Sequence, residues 1–235
     1  MRLDLLRRIN EARDNRIAAV TVTRLDSGAS SLFLQGEPVD KAVAPAVETA
    51  LRTGKSATIE IDGKSLFINV YLPPPRIVVI GAVHISQALA GLAAIAGFDL
   101  RIIDPRSAFA TPERFGQTVL FADWPEDVLK TMPLDAYTAL VAVTHDPKID
   151  DFPLAAALAA GCFYVGALGS RKTHASRVER LTKAGLDEAS IARISAPIGL
   201  DIHASSPAEI AVAILAEIIR TLRTRDVMNG RRASA

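Results

Sequence analysis

Short, almost continuous apolar runs alternate with segments of helical periodicity from residue 76 onward. The runs predict strands at 76–80, 99–103, 117–121, 138–143 and 162–166. The segments between and after them predict helices at 84–97, 125–131, 151–160, 172–184 and 207–223. Apolar strands separated by helices are typical of a parallel sheet that is covered on both faces. The pattern therefore predicts a Rossmann-like, doubly wound α/β domain.

Residues 1–72 follow a different rhythm, in which short alternating stretches predominate. Strands are predicted at 17–23, 31–34, 57–61 and 65–71, and helices at 2–14 and 42–52. Asp62-Gly63 separates the last two strands and is a strong signal for a two-residue hairpin turn. We interpret this region as a smaller N-terminal α+β domain.

Pro73-Pro74-Pro75 is the clearest boundary in the chain, because consecutive prolines favour a stiff, extended connector. The predicted organisation is an α+β domain at 1–72, a linker at 73–75, a Rossmann-like domain at 76–224 and a polar tail at 225–235.

The composition bears on which partners the protein can bind and on the cellular compartment in which it is found. A formal net charge of +1 gives no global attraction to nucleic acid or to an anionic membrane. No apolar run approaches the roughly 18 residues of a membrane span. The N-terminal segment has the pattern of an amphipathic helix rather than of a secretion signal. One cysteine, Cys162, excludes an intrachain disulfide. We therefore expect a cytoplasmic protein.

The first predicted strand runs into a glycine turn at Gly81, and His84 opens the helix that follows. Asp104 lies at the end of the next strand, at the spacing from which an acid meets the ribose of a dinucleotide. A full G-x-G-x-x-G motif would place two further glycines where this chain has Val83 and Ser86. The valine side chain would occupy the space through which backbone approaches a pyrophosphate.

Asp104-Pro105-Arg106 leaves two interpretations open. Asp104 could accept hydrogen bonds from a ribose, or it could end the strand in an ordinary Asp-Pro turn. Arg106 could favour a phosphorylated ligand, or it could pair with Asp104.

The segment after the fifth strand, Gly166 to His174, is the best candidate for anion binding. Gly166 and Gly169 allow a loop whose amide groups point one way at a helix N-terminus. Ser170, Arg171 and Lys172 add a hydroxyl and two positive charges, which suit a phosphate. In the alternative interpretation, Ser170 merely caps the helix and Arg171 is solvated.

Two further polar segments are candidates, one after the fourth predicted strand and one before the final helix. Thr144 to Asp151 contains His145, Asp146 and two more aspartates, a set that suits proton transfer or a hard metal ion. Without a paired-histidine spacing we favour a structural role and predict no metal site: a turn at Asp146-Pro147, and Asp150 or Asp151 capping a helix that begins near Phe152. Asp201 lies in the segment that precedes the final helix.

Five motifs, in order, closely resemble the xanthine dehydrogenase accessory proteins of the XdhC/CoxI family over residues 76–223. They are D-P-R-x-x-F-A-T-P-E-R-F (104–115), T-H-D-P-K-x-D-D (144–151), Y-V-G-A-L-G-S-R-K-T-H (164–174), P-x-G-L-D-I (197–202) and S-P-A-E-I-A (206–211).

The resemblance implies a bacterial, cytoplasmic, dimeric chaperone rather than an enzyme. It implies a factor that binds the molybdenum cofactor, molybdopterin, and helps load it into the apo-enzyme of a molybdenum hydroxylase. The Gly166–Thr173 loop is then a sensible place for the anionic end of the cofactor. The expected cofactor-binding residues are Gly81, His84, Asp104, Arg106, His145, Asp146, Gly166, Gly169, Ser170, Arg171 and Asp201.

The chain departs from the family pattern in two places. Val83 stands where the family usually has the second glycine of G-A-G-H, and no cysteine precedes Cys162, although relatives carry one in an S-G-G-C-V-E-like segment. The N-terminal domain is therefore expected to be shortened. Two alternatives stay open: an NAD(P)-binding oxidoreductase, and a non-catalytic partner that forms a heterodimer with a complete paralogue.

Overall fold

The computed structural model describes residues 3–224. These residues divide into two compact units, one that ends at Pro74 and one that begins at Pro75. The polar tail predicted at 225–235 lies outside the described residues.

The N-terminal unit is built around an antiparallel sheet with the strand order β2-β1-β4-β3. Asp62 and Gly63 join β3 to β4 with φ angles of 51° and 71°, the left-handed pair that a tight hairpin needs. The elements are α1 (Leu3–Asp14), β1 (Ala19–Arg24), β2 (Ser30–Leu34), α2 (Ala44–Thr53), β3 (Ala57–Ile61) and β4 (Lys64–Tyr71).

The second unit contains a parallel sheet with the strand order β10-β9-β8-β5-β6-β7 among the described residues. This arrangement confirms the predicted Rossmann-like α/β fold beside a small α+β region. The elements are β5 (Arg76–Ile80), α3 (His84–Ile95), β6 (Asp99–Ile103), α4 (Pro112–Phe115), β7 (Val119–Phe121), α5 (Pro125–Thr131), β8 (Thr138–Ala142), α6 (Pro147–Ala159), β9 (Tyr164–Ala167), α7 (Arg171–Lys183), α8 (Glu188–Ile191), β10 (Ile194–Ser195) and α9 (Pro207–Thr224).

The parallel sheet is covered by helices on both faces. Ile77 and Val79 of β5 join the apolar core beneath α3 and α9. Val78 and Ile80 of the same strand join a second core beneath α5, α6 and α7. Because successive side chains of a strand point to opposite faces, a strand buried on both sides must be apolar throughout. The continuous apolar runs in the sequence have this origin.

The start predicted for the helix at 151–160, which corresponds to α6, was wrong. Instead of beginning near Phe152, α6 begins at Pro147, and the Asp146 carboxylate caps it by accepting the amide hydrogen of Lys148 at 3.0 Å. Asp150 and Asp151 therefore lie inside the helix and do not cap it. Pro147 suits the first turn because that position needs no amide donor.

Three short elements, α4, α8 and β10, were not predicted, since each has four residues or fewer. Across residues 3–224, no helix has the length and apolar character that crossing a bilayer would need.

Candidate functional site

The candidate residues lie along the carboxyl edge of the parallel sheet. Since β5, β6, β8 and β9 run in the same direction, the segments that follow them emerge at one edge. Ligands of doubly wound sheets bind at this edge.

Gly81, after β5, is packed against the turn that follows β8. Its φ angle is +117°, and a Cβ atom placed there would lie 2.8 Å from Cγ2 of Thr144. Both the backbone conformation and the close approach therefore require glycine. The two turns meet where a dinucleotide-binding sheet usually opens its crevice, between neighbouring strands whose connections leave in opposite directions.

The amide groups of this first turn are already occupied within the protein. The Ala82 amide donates to Oδ2 of Asp104 at 2.7 Å, and the Val83 amide donates to Oγ of Ser86 at 3.4 Å. The Ser86 hydroxyl in turn donates to the Gly81 carbonyl. Val83 is half-buried and packs against the core. A pyrophosphate at this turn would have to displace these contacts.

Asp104 is fully buried and paired with Arg106. Its oxygens accept hydrogen bonds from the Arg106 amide and Nε at 2.9 Å and from Nη2 at 2.7 Å, besides the Ala82 amide. Burial acts to raise the pKa of Asp104, but the hydrogen bonds from Arg106 and the two amides outweigh it and lower the pKa. The structure therefore shows Arg106 paired with Asp104, which is the second of the two interpretations given for Arg106.

The segment after β8 is ordered around a buried carboxylate. Asp150 accepts a hydrogen bond from Thr144 Oγ1 at 2.7 Å and from the His145 amide at 3.1 Å. Burial raises the pKa of Asp150 to about 6. His145 has a left-handed φ of 65° and an exposed side chain, and His84 is exposed at the start of α3. The two histidines are thus open to solvent, and Asp150 is not.

Gly166 lies inside β9 rather than in the predicted loop. It is paired with Val141 of β8 and Ser195 of β10. A Cβ atom there would come within 2.7 Å of Ile198 and 2.6 Å of the Tyr164 hydroxyl. Gly166 therefore permits close packing under the neighbouring loop.

The loop at the N-terminus of α7 combines a cap with free donors. Ser170 caps the helix, because its Oγ accepts the Thr173 amide at 3.2 Å. Gly169 has a φ of +136°. Within residues 3–224, the amides of Gly169, Ser170 and Arg171 have no hydrogen-bond acceptor, and the exposed Arg171 guanidinium has no ion-pair partner. Free amides at the positive end of a helix are a favourable environment for an anion.

Arg171 borders a cavity of about 370 Å³ formed with the 197–204 segment and α9. Glu217 of α9 holds this segment in place, since one of its oxygens accepts the Gly199 amide at 3.0 Å and the Tyr164 hydroxyl at 2.8 Å. Asp201 lines the same cavity with its side chain 89% exposed. The structure thus brings Arg171 and Asp201 to one cavity, whereas Asp104 and Arg106 are engaged with each other.

Two charged residues that matter to these sites escaped the sequence reasoning. Arg177 of α7 is 2% exposed and Glu217 is 6% exposed. Glu217 lies on the apolar stripe of α9, with the buried Ala213 and Ile214, and a charge within such a stripe was the signal that could have found it. Arg177 lies four residues before the buried Leu181, but its other neighbours on that face of α7 are polar, so the sequence gives no comparable signal for it.

No group of three or more histidine, cysteine, aspartate or glutamate side chains that could hold a metal ion occurs in the part of the chain that the structure describes.

Comparison with known proteins gives a consistent result. Residues 77–218 match the XdhC Rossmann domain family. The chain is 34% identical over 158 residues to a probable xanthine dehydrogenase subunit of Bacillus subtilis, and 30% identical over 148 residues to the molybdenum cofactor insertion chaperone PaoD of Escherichia coli. These alignments cover 67% and 63% of this chain, but only 46% and 40% of the relatives.

An uncharacterised Escherichia coli protein, YqeB, is 32% identical over 160 residues, which are 66% of this chain and 29% of that protein. A crystal structure of a xanthine dehydrogenase from Bacillus halodurans superposes with a TM-score of 0.63 at 22% identity, covering 93% of this chain and 66% of that one. At this identity the likeness concerns the fold alone. From the family match and the motifs on the sheet edge, the chain belongs to the XdhC family.

Proposed function

We propose that this protein is an accessory factor of molybdenum hydroxylases of the xanthine dehydrogenase type, and that it binds the molybdenum cofactor and aids its insertion into the apo-enzyme. Family membership and the relative named as a molybdenum cofactor insertion chaperone support the proposal. The observation that carries it is the set of free amides at Gly169–Arg171 beside a cavity lined by Arg171.

The cavity suits the anionic end of a pterin cofactor in size and charge. Its volume of about 370 Å³ lies within the range of roughly 300–1,000 Å³ for small-molecule sites. The Gly169, Ser170 and Arg171 amides would donate to a phosphate, and the Arg171 guanidinium would supply a bidentate, charged contact. The bound cofactor supplies the redox-active metal that the client enzyme uses.

The protein's own residues bind and position in this scheme and carry no bond-breaking step. Leu168 and Ile210 give the cavity apolar walls, and the Glu217 hydrogen bond to Gly199 fixes the segment that closes it. Asp201 at the exposed rim opposes a second negative charge, which favours binding of the cofactor with its phosphate towards Arg171.

The NAD(P) alternative lacks a comparable site. Asp104, the residue expected to meet a ribose, already accepts four hydrogen bonds, and the amides of Ala82 and Val83 are engaged. We expect NADH to bind with a dissociation constant of about 1 mM or weaker, a free energy near −4 kcal/mol. Micromolar binding in a fluorescence titration would restore the oxidoreductase hypothesis.

The function is tested by activation of a client. A xanthine dehydrogenase-type apo-enzyme is incubated anaerobically with molybdenum cofactor, with and without this protein, and the recovered activity is measured. We expect the protein to raise the rate of recovery, and Arg171→Ala to lose most of this effect. A control, Lys183→Ala at the far end of α7, should behave as wild type. Equal recovery without the protein would contradict the proposal.

We also propose that the protein acts in the cytoplasm on the client apo-enzyme, as a homodimer or as a heterodimer with a complete paralogue. The chain covers less than half of each curated relative named above.

A further inference from the structure

A second cavity, of about 260 Å³, lies between the first turn of α6 and the first two to three turns of α7. Its walls include His145, Asp150, Lys172, Ser176 and Arg177. None of its lining residues also lines the cavity at Arg171. It is therefore a separate cavity, and it plays no part in the proposed cofactor site.

Arg177 is the unusual residue in this cavity. Its side chain is almost wholly buried at 2% exposure, and Nη2 donates to the Leu168 carbonyl at 2.9 Å. Its Nε and Nη1 atoms are buried without a hydrogen-bond acceptor among the described residues. A buried charged donor without a partner is costly, and native structures normally satisfy such groups. The position calls for an acceptor that the described residues do not provide.

The carboxylates nearby do not fill this role. Asp151 is taken up by Arg180, which donates to it from Nε at 2.6 Å and from Nη2 at 3.1 Å. Asp150 receives the Thr144 hydroxyl and the His145 amide, and no ion pair joins it to Arg177 within the described part of the chain. Arg177 and Asp150 influence each other only through space.

Lys172 adds a positive charge to those of Arg177 and Arg180 at the cavity, against the carboxylates of Asp150 and Asp151. Lys172 lines the cavity and is exposed, and among residues 3–224 it has no ion-pair partner. The Ser176 hydroxyl lies one turn further along α7, on the same wall. A guanidinium with free donors, an ammonium group and a hydroxyl together match the hydrogen-bonding pattern of a tetrahedral oxyanion.

We infer that this cavity binds a phosphate group, either as the free ion or as the phosphoryl end of a larger molecule. Nε and Nη1 of Arg177 anchor the anion, Lys172 neutralises its outer charge, and Ser176 donates at the rim. The volume of the cavity, about 260 Å³, is several times that of one phosphate ion, so there is room for part of an attached group.

The test is a calorimetric titration of the full chain with inorganic phosphate at constant ionic strength, balanced with chloride. Arg177→Lys keeps the charge but loses the free guanidinium donors, and we expect it to weaken binding about 10-fold or more, as for loss of a charged hydrogen bond. Lys172→Gln, at an exposed position that folding tolerates, should weaken binding several-fold. Lys183→Gln removes a charge from the last turn of the same helix and should leave affinity unchanged.

Two results would overturn the inference. One is absence of phosphate binding by the wild-type chain in this titration. The other is phosphate binding that Arg171→Ala abolishes and Arg177→Lys leaves intact, because the ion would then lie at the α7 loop. Comparison with phenyl phosphate separates the two ligand sources: tighter binding of the ester assigns the site to a phosphorylated molecule, and equal or weaker binding assigns it to free phosphate.

Discussion

At the scale of single residues, the buried Asp150 makes stability depend on pH. Its pKa rises from the ordinary 3.8 to about 6 because it is buried. Between these values the folded protein holds a proton that the unfolded chain has released. Stability therefore falls as the pH rises from about 4 to about 6, and the cost above that range is about 3 kcal/mol.

We expect Asp150→Asn to flatten this dependence. An amide cannot ionise, so the loss of stability between pH 4 and pH 6 attributable to this residue should disappear. Urea denaturation at a series of pH values measures it, with Asp14→Asn, an exposed carboxylate at the end of α1, as the control that keeps the wild-type slope. An unchanged slope in Asp150→Asn would show that the pKa of Asp150 is not raised in the folded protein.

At the scale of elements, the turns after β5 and β8 are coupled through one contact. Gly81→Ala places a methyl group 2.8 Å from Cγ2 of Thr144 at a φ of +117°. We expect a loss of roughly 1–3 kcal/mol from strain and overpacking. Thr144→Ser removes Cγ2 but keeps the hydroxyl that donates to Asp150, so the double variant should recover part of the loss. A strictly additive double-mutant cycle in urea unfolding would contradict the coupling.

The packing of the 197–204 segment against α9 depends on hydrogen bonds to Glu217. Glu217→Ala leaves the Gly199 amide and the Tyr164 hydroxyl without this acceptor, and we expect a loss of about 2–4 kcal/mol. Arg220→Ala removes only a partner that is 54% exposed, so its cost should be about 0–1 kcal/mol. Thermal unfolding of both variants checks the difference, and equal losses would show that the buried hydrogen bonds contribute little.

At the scale of the whole molecule, the alternation of strands and helices was sufficient to predict the fold. Strands buried on two faces leave a continuous apolar run, which few other structures produce. The two-residue β10 leaves no such trace, so the edge of the sheet could not be predicted. Val83 indicated a blocked glycine turn, and the engaged amides of Ala82 and Val83 agree with that interpretation.

The candidate site was harder to predict because its chemistry depends on which partners the fold supplies. The sequence could not tell that Arg106 saturates Asp104, nor that Gly166 packs beneath Ile198. It also could not distinguish Arg177, whose Nε and Nη1 lack an acceptor among the described residues, from Arg180, which is paired with Asp151. Both arginines belong to one helix, and only the packing of α6 against α7 separates their environments.

We propose that free amides and Arg171 at the start of α7 hold the anionic end of the molybdenum cofactor. Anaerobic equilibrium binding of molybdopterin to the wild-type chain, Arg171→Ala and Lys183→Ala tests it most directly. We predict that Arg171→Ala weakens binding about 10-fold or more, as expected for loss of a charged contact, while Lys183→Ala binds as wild type. No measurable binding by the wild-type chain, or equal affinity for all three proteins, would contradict the account.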